Sequence, residues 1–181
     1  MRAFVTMKQY IGSNYYRLTN IETKVIEHDL EIKILQESFD KLEEKRKNNE
    51  IYFNGQIYDA YSNILYIFKE AKESLVIIDS YADNTILDIV RRLKVSVIII
   101  TKKDNLLTKQ DIEKYNKQYS NLKVVYNNTF HDRYFILDEK IVYHCGTSIN
   151  RIGYKTFCIN IIGDDDLKAI LIKRIMQLLS K

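Results

Sequence analysis

The sequence lacks three features that would place it outside the soluble intracellular proteins. No apolar run approaches the ~20 residues that a membrane-spanning helix needs. The first ten residues, MRAFVTMKQY, do not have the layout of a secretory signal peptide. Its two cysteines, Cys145 and Cys158, fit neither a zinc-ligand spacing nor a disulfide framework. These absences predict a soluble, cytoplasmic protein with two free thiols and no membrane partner.

The composition is that of a folded protein with a mild positive charge. Hydrophobic residues make up 46% of the chain and charged residues 29%, which is typical of globular proteins and not of disordered ones. The net charge of +4 permits an anionic partner without demonstrating one. A chain of 181 residues has room for one ordinary domain and a modest appendage.

The first part of the chain carries a heptad pattern. Apolar residues recur at alternating spacings of three and four, and only Asn14 and His28 break the apolar series. The positions are Phe4, Met7, Ile11, Asn14, Leu18, Ile21, Val25, His28, Ile32, Leu35, Phe39 and Leu42. This pattern predicts an oligomerising coiled-coil helix over residues 1–48, ahead of a domain at 51–181.

The charges beside the heptad core favour two parallel copies. Arg17 and Lys24 fall at g positions and oppose Glu22 and Asp29 at the e positions of the next heptad. We therefore expect a parallel homodimer through residues 18–42. The alternative is an amphipathic helix that folds back onto its own domain.

The rest of the chain alternates between helical and strand patterns. Helical periodicity is found at 57–71, 84–93, 109–119 and 165–179, and Thr108 is placed to cap the third of these helices. Apolar strands are predicted at 74–79, 95–101, 122–126 and 156–163, with a hairpin between the last two. The predicted class is α/β, with a sheet covered by helices on both faces.

The hairpin segment FHDRYFILDEKIVYHCGTSIN, residues 130–150, gathers side chains suited to phosphate. If Glu139 and Lys140 form its tip, Arg133 lies opposite Gly146, His131 opposite Ser148 and Phe135 opposite His144. Cross-strand partners share a face, so one patch would contain His131, Arg133 and Ser148. His144 is a further candidate to line this patch. In such a patch an imidazole can attack phosphorus and a guanidinium can clamp phosphoryl oxygens.

The same segment resembles the signature of the phospholipase D superfamily: His-x-Lys, four residues, Asp, then Gly-Ser-x-Asn. The matching positions are His131, Arg133, Asp138, Gly146, Thr147 or Ser148, and Asn150. The stretches MRAFV, FNGQIYDAY, SLVIIDSYAD, FHDRYFILD and YHCGTS also resemble the C-terminal half of phage and mobile-element proteins. Those proteins carry an ORF-six-N or KilA-N-type DNA-binding domain, which is not found here.

The resemblance implies a phospholipase D-like sheet and a nuclease acting on DNA without metal or cofactor. It implies a phosphohistidine at His131, with a second histidine from another copy because this chain has one motif. Catalytic roles fall to His131, Arg133, Ser148 and Asn150, and phosphate binding to Arg133, Thr147 and Ser148. Asp138 and Gly146 would be structural. Asp79, which ends a predicted strand, would be a further residue lining the site.

Two departures from the signature support a second hypothesis. Arg133 stands where lysine is usual, and the region YKTFCIN at 154–160 offers no match for the glutamate that orients the histidine in many members. The alternative is a catalytically degenerate module that dimerises and binds nucleic acid in a mobile-element regulator.

Overall fold

The computed structural model describes the backbone of residues 2–104 and 106–180, and the chain divides into two compact units, Met1–Lys45 and Arg46–Lys181. Helix α1 (Arg2–Asn48) accounts for the first unit and continues for three residues into the second, and its side chains are described at residues 6–7 and 10–38. Three of the predicted core positions, Phe4, Phe39 and Leu42, therefore lie outside the described side chains. The predicted long N-terminal helix is confirmed.

The second unit contains a seven-stranded sheet and four helices. Its strands are β1 (Asn49–Tyr52), β2 (Ser74–Ile78), β3 (Ser96–Thr101), β4 (Leu122–Tyr126), β5 (Arg133–Leu137), β6 (Ile141–Cys145) and β7 (Phe157–Ile161). Its helices are α2 (Ile57–Lys69), α3 (Asn84–Val90), α4 (Lys109–Tyr119) and α5 (Asp165–Leu179), with a short 3-10 turn at Ile149–Arg151. None of the helices in the described part of the chain is long and apolar enough to cross a membrane.

The strand order is β1-β7-β6-β5-β2-β3-β4. Strands β2, β3 and β4 are parallel, because α3 and α4 connect them, whereas β5, β6, β7 and β1 add antiparallel neighbours on the other side of β2. The predicted α/β class is confirmed.

Helices cover both faces of the sheet, as the apolar strands predict. On one face, Leu75 and Ile77 of β2 belong to a core that includes Ile64 of α2 and Ile86 of α3. On the other face, alternate residues of the same strands form a second core with α5, which contributes Ile175. The central strands are thus buried on both sides, and chemistry is confined to the ends of the strands.

The hairpin register differs from the predicted one by one residue. Leu137 pairs with Ile141, so the loop contains three residues, 138–140, and Arg133 lies opposite Cys145 instead of Gly146. His144 lies opposite Tyr134. Because side chains alternate between faces, this shift moves His144 to the opposite face of the sheet from Arg133. The prediction that His144 and Arg133 share one patch is therefore wrong.

Strand β1 is absent from the predictions. Its sequence, NEIY, is short and half polar. The strand follows a charged run that is typical of a boundary between the N-terminal helix and the domain. It forms because it pairs with β7, with Glu50 opposite Ile159 and Tyr52 opposite Phe157. The rings of Tyr52 and Phe157 stack at 5.3 Å.

Candidate phosphate site

Three strands bring the predicted site residues to one end of the sheet. Ile78, the last residue of β2, pairs with Tyr134, next to the start of the antiparallel β5. The first residue of β5, Arg133, pairs with Cys145, the last residue of β6. The segment after β2, the segment before β5 and the Gly-Thr-Ser-Ile-Asn segment after β6 therefore meet at one edge.

Asp79 holds the segment after β6 in place. Its buried carboxylate accepts a hydrogen bond from the Ser148 hydroxyl at 2.7 Å and another from the Ile149 amide at 2.8 Å. Its second oxygen accepts from the Tyr81 amide at 3.0 Å. Asp79 thus supports the loop from inside the protein, and it does not line the two cavities described next.

A cavity of about 380 Å³ lies above this support. Its walls include Tyr81, Leu106, Arg133, Thr147, Ser148 and Asn150. Asp104 and Arg151 also border it. A neighbouring cavity of about 180 Å³ includes His131, Lys102 and Phe130, and it shares Tyr81 and Arg133 with the first. The motif residues are thereby distributed around two adjoining cavities.

Arg133 stands between the two cavities with part of its donor capacity unused. Its Nε is buried and has no hydrogen-bond partner. The guanidinium carbon lies 5.7 Å from the centre of the Tyr81 ring, a distance typical of a cation–π contact. A buried donor without an acceptor is costly, so an anionic oxygen placed here would gain a charge-assisted hydrogen bond.

His131 lies just before β5, and its side chain is 99% exposed. The Ser80 hydroxyl holds the preceding residue by donating to the Phe130 carbonyl at 3.1 Å. The Nδ1 atom of His131 is 3.4 Å from the Asp132 carboxylate. This contact favours the tautomer with hydrogen on Nδ1 and leaves the Nε2 lone pair directed to other partners.

His144 reaches the same carboxylate from the other face of the sheet. Its Nε2 is 3.9 Å from the second oxygen of Asp132. Burial raises the pKa of the neighbouring Tyr134 hydroxyl, and the charge of Asp132 adds to this effect. His144 does not line either of the two cavities.

Of the two motif residues predicted to be structural, Asp138 makes several hydrogen bonds, whereas Gly146 has room for a side chain. The Asp138 carboxylate accepts hydrogen bonds from the backbone amides of residues 72–74, at 2.7–3.1 Å. Burial acts to raise the pKa of Asp138, but these three amides outweigh it and hold the pKa below its ordinary value. At Gly146, an added Cβ would meet its nearest atoms at an ordinary 3.5 Å.

The Cys145 thiol is buried and poorly suited to act as a nucleophile. Burial raises the pKa of Cys145 to about 12; the nearby Asp79 carboxylate raises it further, while Arg133 and a backbone hydrogen bond to Thr147 act in the opposite direction. Cys145 and Cys158 are both free. Among the side chains that the structure describes, at residues 6–7, 10–38, 49–104 and 106–180, no cluster of three or more His, Cys, Asp or Glu is arranged to hold a metal ion.

The site also contains residues that the sequence reasoning did not identify. Tyr81, whose ring centre lies 4.8 Å from Lys102, borders both cavities, and Asp132 contacts His131. Tyr81 follows the end of a buried strand by three residues and remains 51% exposed. An exposed aromatic residue at a strand end is the signal that could have identified it.

Comparison with known proteins finds structural neighbours only. No family model matches the sequence, and a search of curated proteins finds no relative. NucT from Helicobacter pylori is 18% identical; the match covers 74% of this chain and 96% of NucT, with a TM-score of 0.55. Nuc from Salmonella typhimurium, a phospholipase D family member, is 14% identical over 74% and 94% of the two chains, with a TM-score of 0.57.

A third neighbour is polyphosphate kinase from Porphyromonas gingivalis. It is 12% identical, and the match covers 74% of this chain but 22% of the kinase, with a TM-score of 0.50. The predicted similarity to ORF-six-N or KilA-N-type proteins stays a prediction. Likeness at these identities shows the fold, and the chain has the phospholipase D-like fold.

Proposed function

We propose that the protein is a metal-independent phosphodiesterase that cleaves nucleic acid, with DNA as the expected substrate. The observation that supports this most directly is the position of Arg133. It borders the cavity that contains His131 and also the cavity formed by Thr147, Ser148 and Asn150. A phosphate bound at Arg133 would be within reach of groups from both sides of the site.

The proposed reaction has two balanced steps. In the first, Nε2 of His131 attacks phosphorus, the bond from phosphorus to the leaving oxygen breaks, and an acid protonates that oxygen. In the second, water attacks the phosphohistidine, the nitrogen–phosphorus bond breaks, and the same group, now a base, takes the proton from water. His131 is regenerated, and the products are an alcohol and a phosphate monoester.

Arg133 stabilises the charge that develops on the phosphoryl oxygens. A guanidinium offers donors in a planar fork, and its Nε has no competing acceptor within the protein. The Ser148 hydroxyl already donates to Asp79, so we assign Ser148 to shaping the loop more than to donating toward substrate. Thr147, together with Asn150, completes the polar wall.

A nucleic-acid substrate is favoured by the cations around the site. Lys102 and Lys103 border a third cavity of about 450 Å³, and Arg151 borders the one with Arg133. Such a distribution suits a polymer with one charge per nucleotide. Two neighbours are named for chemistry at phosphate groups, phospholipase D and polyphosphate kinase, which is consistent with this site.

We place the protein in the cytoplasm because both cysteines are free thiols.

A second copy of the chain would supply the acid. His131 is the only histidine that borders the described cavities, and its nearly complete exposure leaves room for a partner histidine. Core heptad residues of α1 are available for pairing: Leu18, Ile21 and Val25 are each more than 50% exposed. A helix of this length is stabilised in water mainly by burying such a stripe. We therefore propose a parallel homodimer through residues 18–42.

Cleavage of end-labelled single- and double-stranded DNA in EDTA tests the activity. Wild-type protein should cleave, and His131→Asn should lower the rate by at least about a thousandfold, because the nucleophile is lost. Asn128→Ala changes an exposed residue of the same cavity that has no role in the reaction, so it should cleave normally. Cleavage that persists in His131→Asn would refute the mechanism.

The non-enzymatic DNA-binding module is the second candidate. The observation in its favour is the absence of a glutamate from the segment 154–160, with only the long Asp132 contact directed at His131. If a folded dimeric protein binds DNA but neither wild type nor variant cleaves it, this candidate replaces the first.

Two opposite stripes of α1 provide a matched test of the dimer. Replacing Ile21, Val25 and Ile32 with Gln should reduce the mass by light scattering from twice the chain mass of 21.5 kDa to once that value. Replacing the equally exposed Ile26, Leu30 and Ile34 on the opposite side should leave a dimer. If the first variant remains dimeric, or both dissociate, the proposed interface is wrong.

A further inference from the structure

Tyr81 is an exposed aromatic side chain on a fixed backbone. Its amide donates to the Asp79 carboxylate at 3.0 Å, and its carbonyl accepts from the Asn150 side-chain amide at 3.0 Å. The side chain nevertheless keeps 51% of its surface exposed. A single exposed aromatic residue is common, but this ring borders both cavities and contacts the Arg133 guanidinium, so it is accessible to a ligand bound there.

The ring stands where a group attached to the bound phosphate would lie. Tyr81 and Arg133 both border the two cavities. The ring therefore lies next to a phosphate bound at Arg133, whichever of the two cavities that phosphate occupies. Lys102 approaches the ring from the smaller cavity and does not border the larger one. The larger cavity, about 380 Å³, falls within the range of small-molecule sites, about 300–1,000 Å³.

Asn150, which borders the larger cavity, has an unused hydrogen-bond acceptor just beneath the surface. The Oδ1 atom of Asn150 is buried without a hydrogen-bond partner, while the other end of that amide is used by Tyr81. Leu106 adds an apolar wall that is 71% exposed. An aromatic face, an apolar wall and a free acceptor together suit a planar ring that carries an N–H donor at its edge.

From these contacts we infer that Tyr81 and the larger cavity form a subsite for one unstacked nucleobase, next to the phosphate at Arg133. The inference rests on the proposed function, because the phosphate position is part of it, and it narrows the substrate to single-stranded nucleic acid. A base inside a duplex has both faces covered by its neighbours and cannot stack on Tyr81. A small rotation of the Asn150 side chain would let its oxygen accept from a ring N–H or an exocyclic amino group of the base.

Binding of a short, end-labelled single-stranded DNA tests the subsite without relying on cleavage. All variants carry His131→Asn, so the DNA stays intact. Tyr81→Leu should weaken binding by about 5- to 150-fold, the range for one base–aromatic stack, whereas Tyr81→Phe should stay within about twofold. Tyr154→Leu is the matched control, because Tyr154 is 57% exposed and borders neither cavity; its affinity should be unchanged.

Abasic DNA separates base binding from phosphate binding. A series of oligonucleotides, each lacking one base, is bound to the protein that carries His131→Asn alone. One of them, lacking the base that stacks on Tyr81, should bind more weakly than intact DNA. The Tyr81→Leu variant should bind that oligonucleotide and intact DNA equally well. A duplex of the same length should bind more weakly than the single strand. Equal affinities for intact and abasic DNA, or an unaltered affinity in Tyr81→Leu, would overturn the subsite.

The two proposals fail separately. If wild-type protein does not cleave DNA but the Tyr81 and abasic effects are coupled, the subsite stands and the phosphodiesterase proposal falls. If His131 is required for cleavage while the Tyr81 variants bind normally, the phosphodiesterase stands and the subsite falls.

Discussion

Asp79→Asn should destabilise the second unit strongly, although the substitution removes only one charge and no volume. The carboxylate accepts three hydrogen bonds: from the Tyr81 amide on one oxygen, and from the Ser148 hydroxyl and Ile149 amide on the other. An asparagine has one oxygen, so in either orientation its NH₂ group faces a backbone N–H that cannot accept. One backbone amide is left without a partner, either the buried Ile149 N–H or the part-buried Tyr81 N–H.

The cost can be estimated from the bonds that are lost. A hydrogen bond to a charged group contributes about 1.5–3 kcal/mol, and a buried amide left unpaired adds about 1–3 kcal/mol. Some overlap between these two costs gives about 2–4 kcal/mol in the free energy of unfolding. With a urea m-value of about 2 kcal/mol per molar, the unfolding midpoint should fall by about 1–2 M.

The assay must report on the second unit and not on α1. Near-ultraviolet circular dichroism serves this purpose, because the buried tyrosines Tyr52, Tyr115 and Tyr143 all belong to the second unit. Asp83→Asn is the matched control: Asp83 caps α3 by accepting from the Thr85 amide, and asparagine caps a helix equally well. If Asp79→Asn and Asp83→Asn unfold at the same urea concentration, the assigned role of Asp79 is refuted.

Three further results follow from the structure. Gly153→Ala should lower the free energy of unfolding by more than about 3 kcal/mol, because φ is +74° and the added Cβ would lie 2.4 Å from a backbone carbon. Gly146→Ala should lower it by less than about 1 kcal/mol. Urea unfolding of both variants checks this. Because the pKa of Asp138 is lowered in the folded state, its carboxylate stabilises the fold above about pH 4. This contribution disappears as pH falls through the folded-state pKa. The unfolding free energies of wild type and Asp138→Asn should therefore converge in acid. Asp132→Asn should slow DNA cleavage less than His131→Asn does and leave DNA affinity unchanged, because Asp132 orients the imidazole without reacting; single-turnover rates distinguish these effects.

Much of the second unit could be predicted because local sequence and tertiary structure agree there. Helix α5 runs over the predicted residues 165–179, and β4 over the predicted 122–126. The cap of α4 also occurs as predicted at Thr108, whose side chain accepts from the Asp111 amide. In these segments the apolar period, the cap residues and the strand length all indicate the same structure.

The parts of the site that sequence reasoning missed depend on contacts between distant segments. Nothing near Asp79 in the chain indicates that its carboxylate will bind a loop about 70 residues later. The same loop, through Asn150, holds the carbonyl of Tyr81, the residue that we propose stacks on a base. The motif supplies part of the wall of the larger cavity, and Tyr81, Asp104 and Leu106 come from other segments of the fold.

The hairpin register shows the same limit at a single turn. The letters DEK are compatible with a two-residue tip at Glu139 and Lys140 or with a three-residue loop that includes Asp138. The longer loop forms with Asp138 and Glu139 both at positive φ, a conformation that costs energy for residues other than glycine. In that conformation the Asp138 carboxylate accepts from the backbone amides of Lys72, Glu73 and Ser74, at the start of β2, and these bonds offset the cost. A contact more than 60 residues away in sequence therefore selects the register, and the register determines that Arg133 faces the cavities while His144 does not.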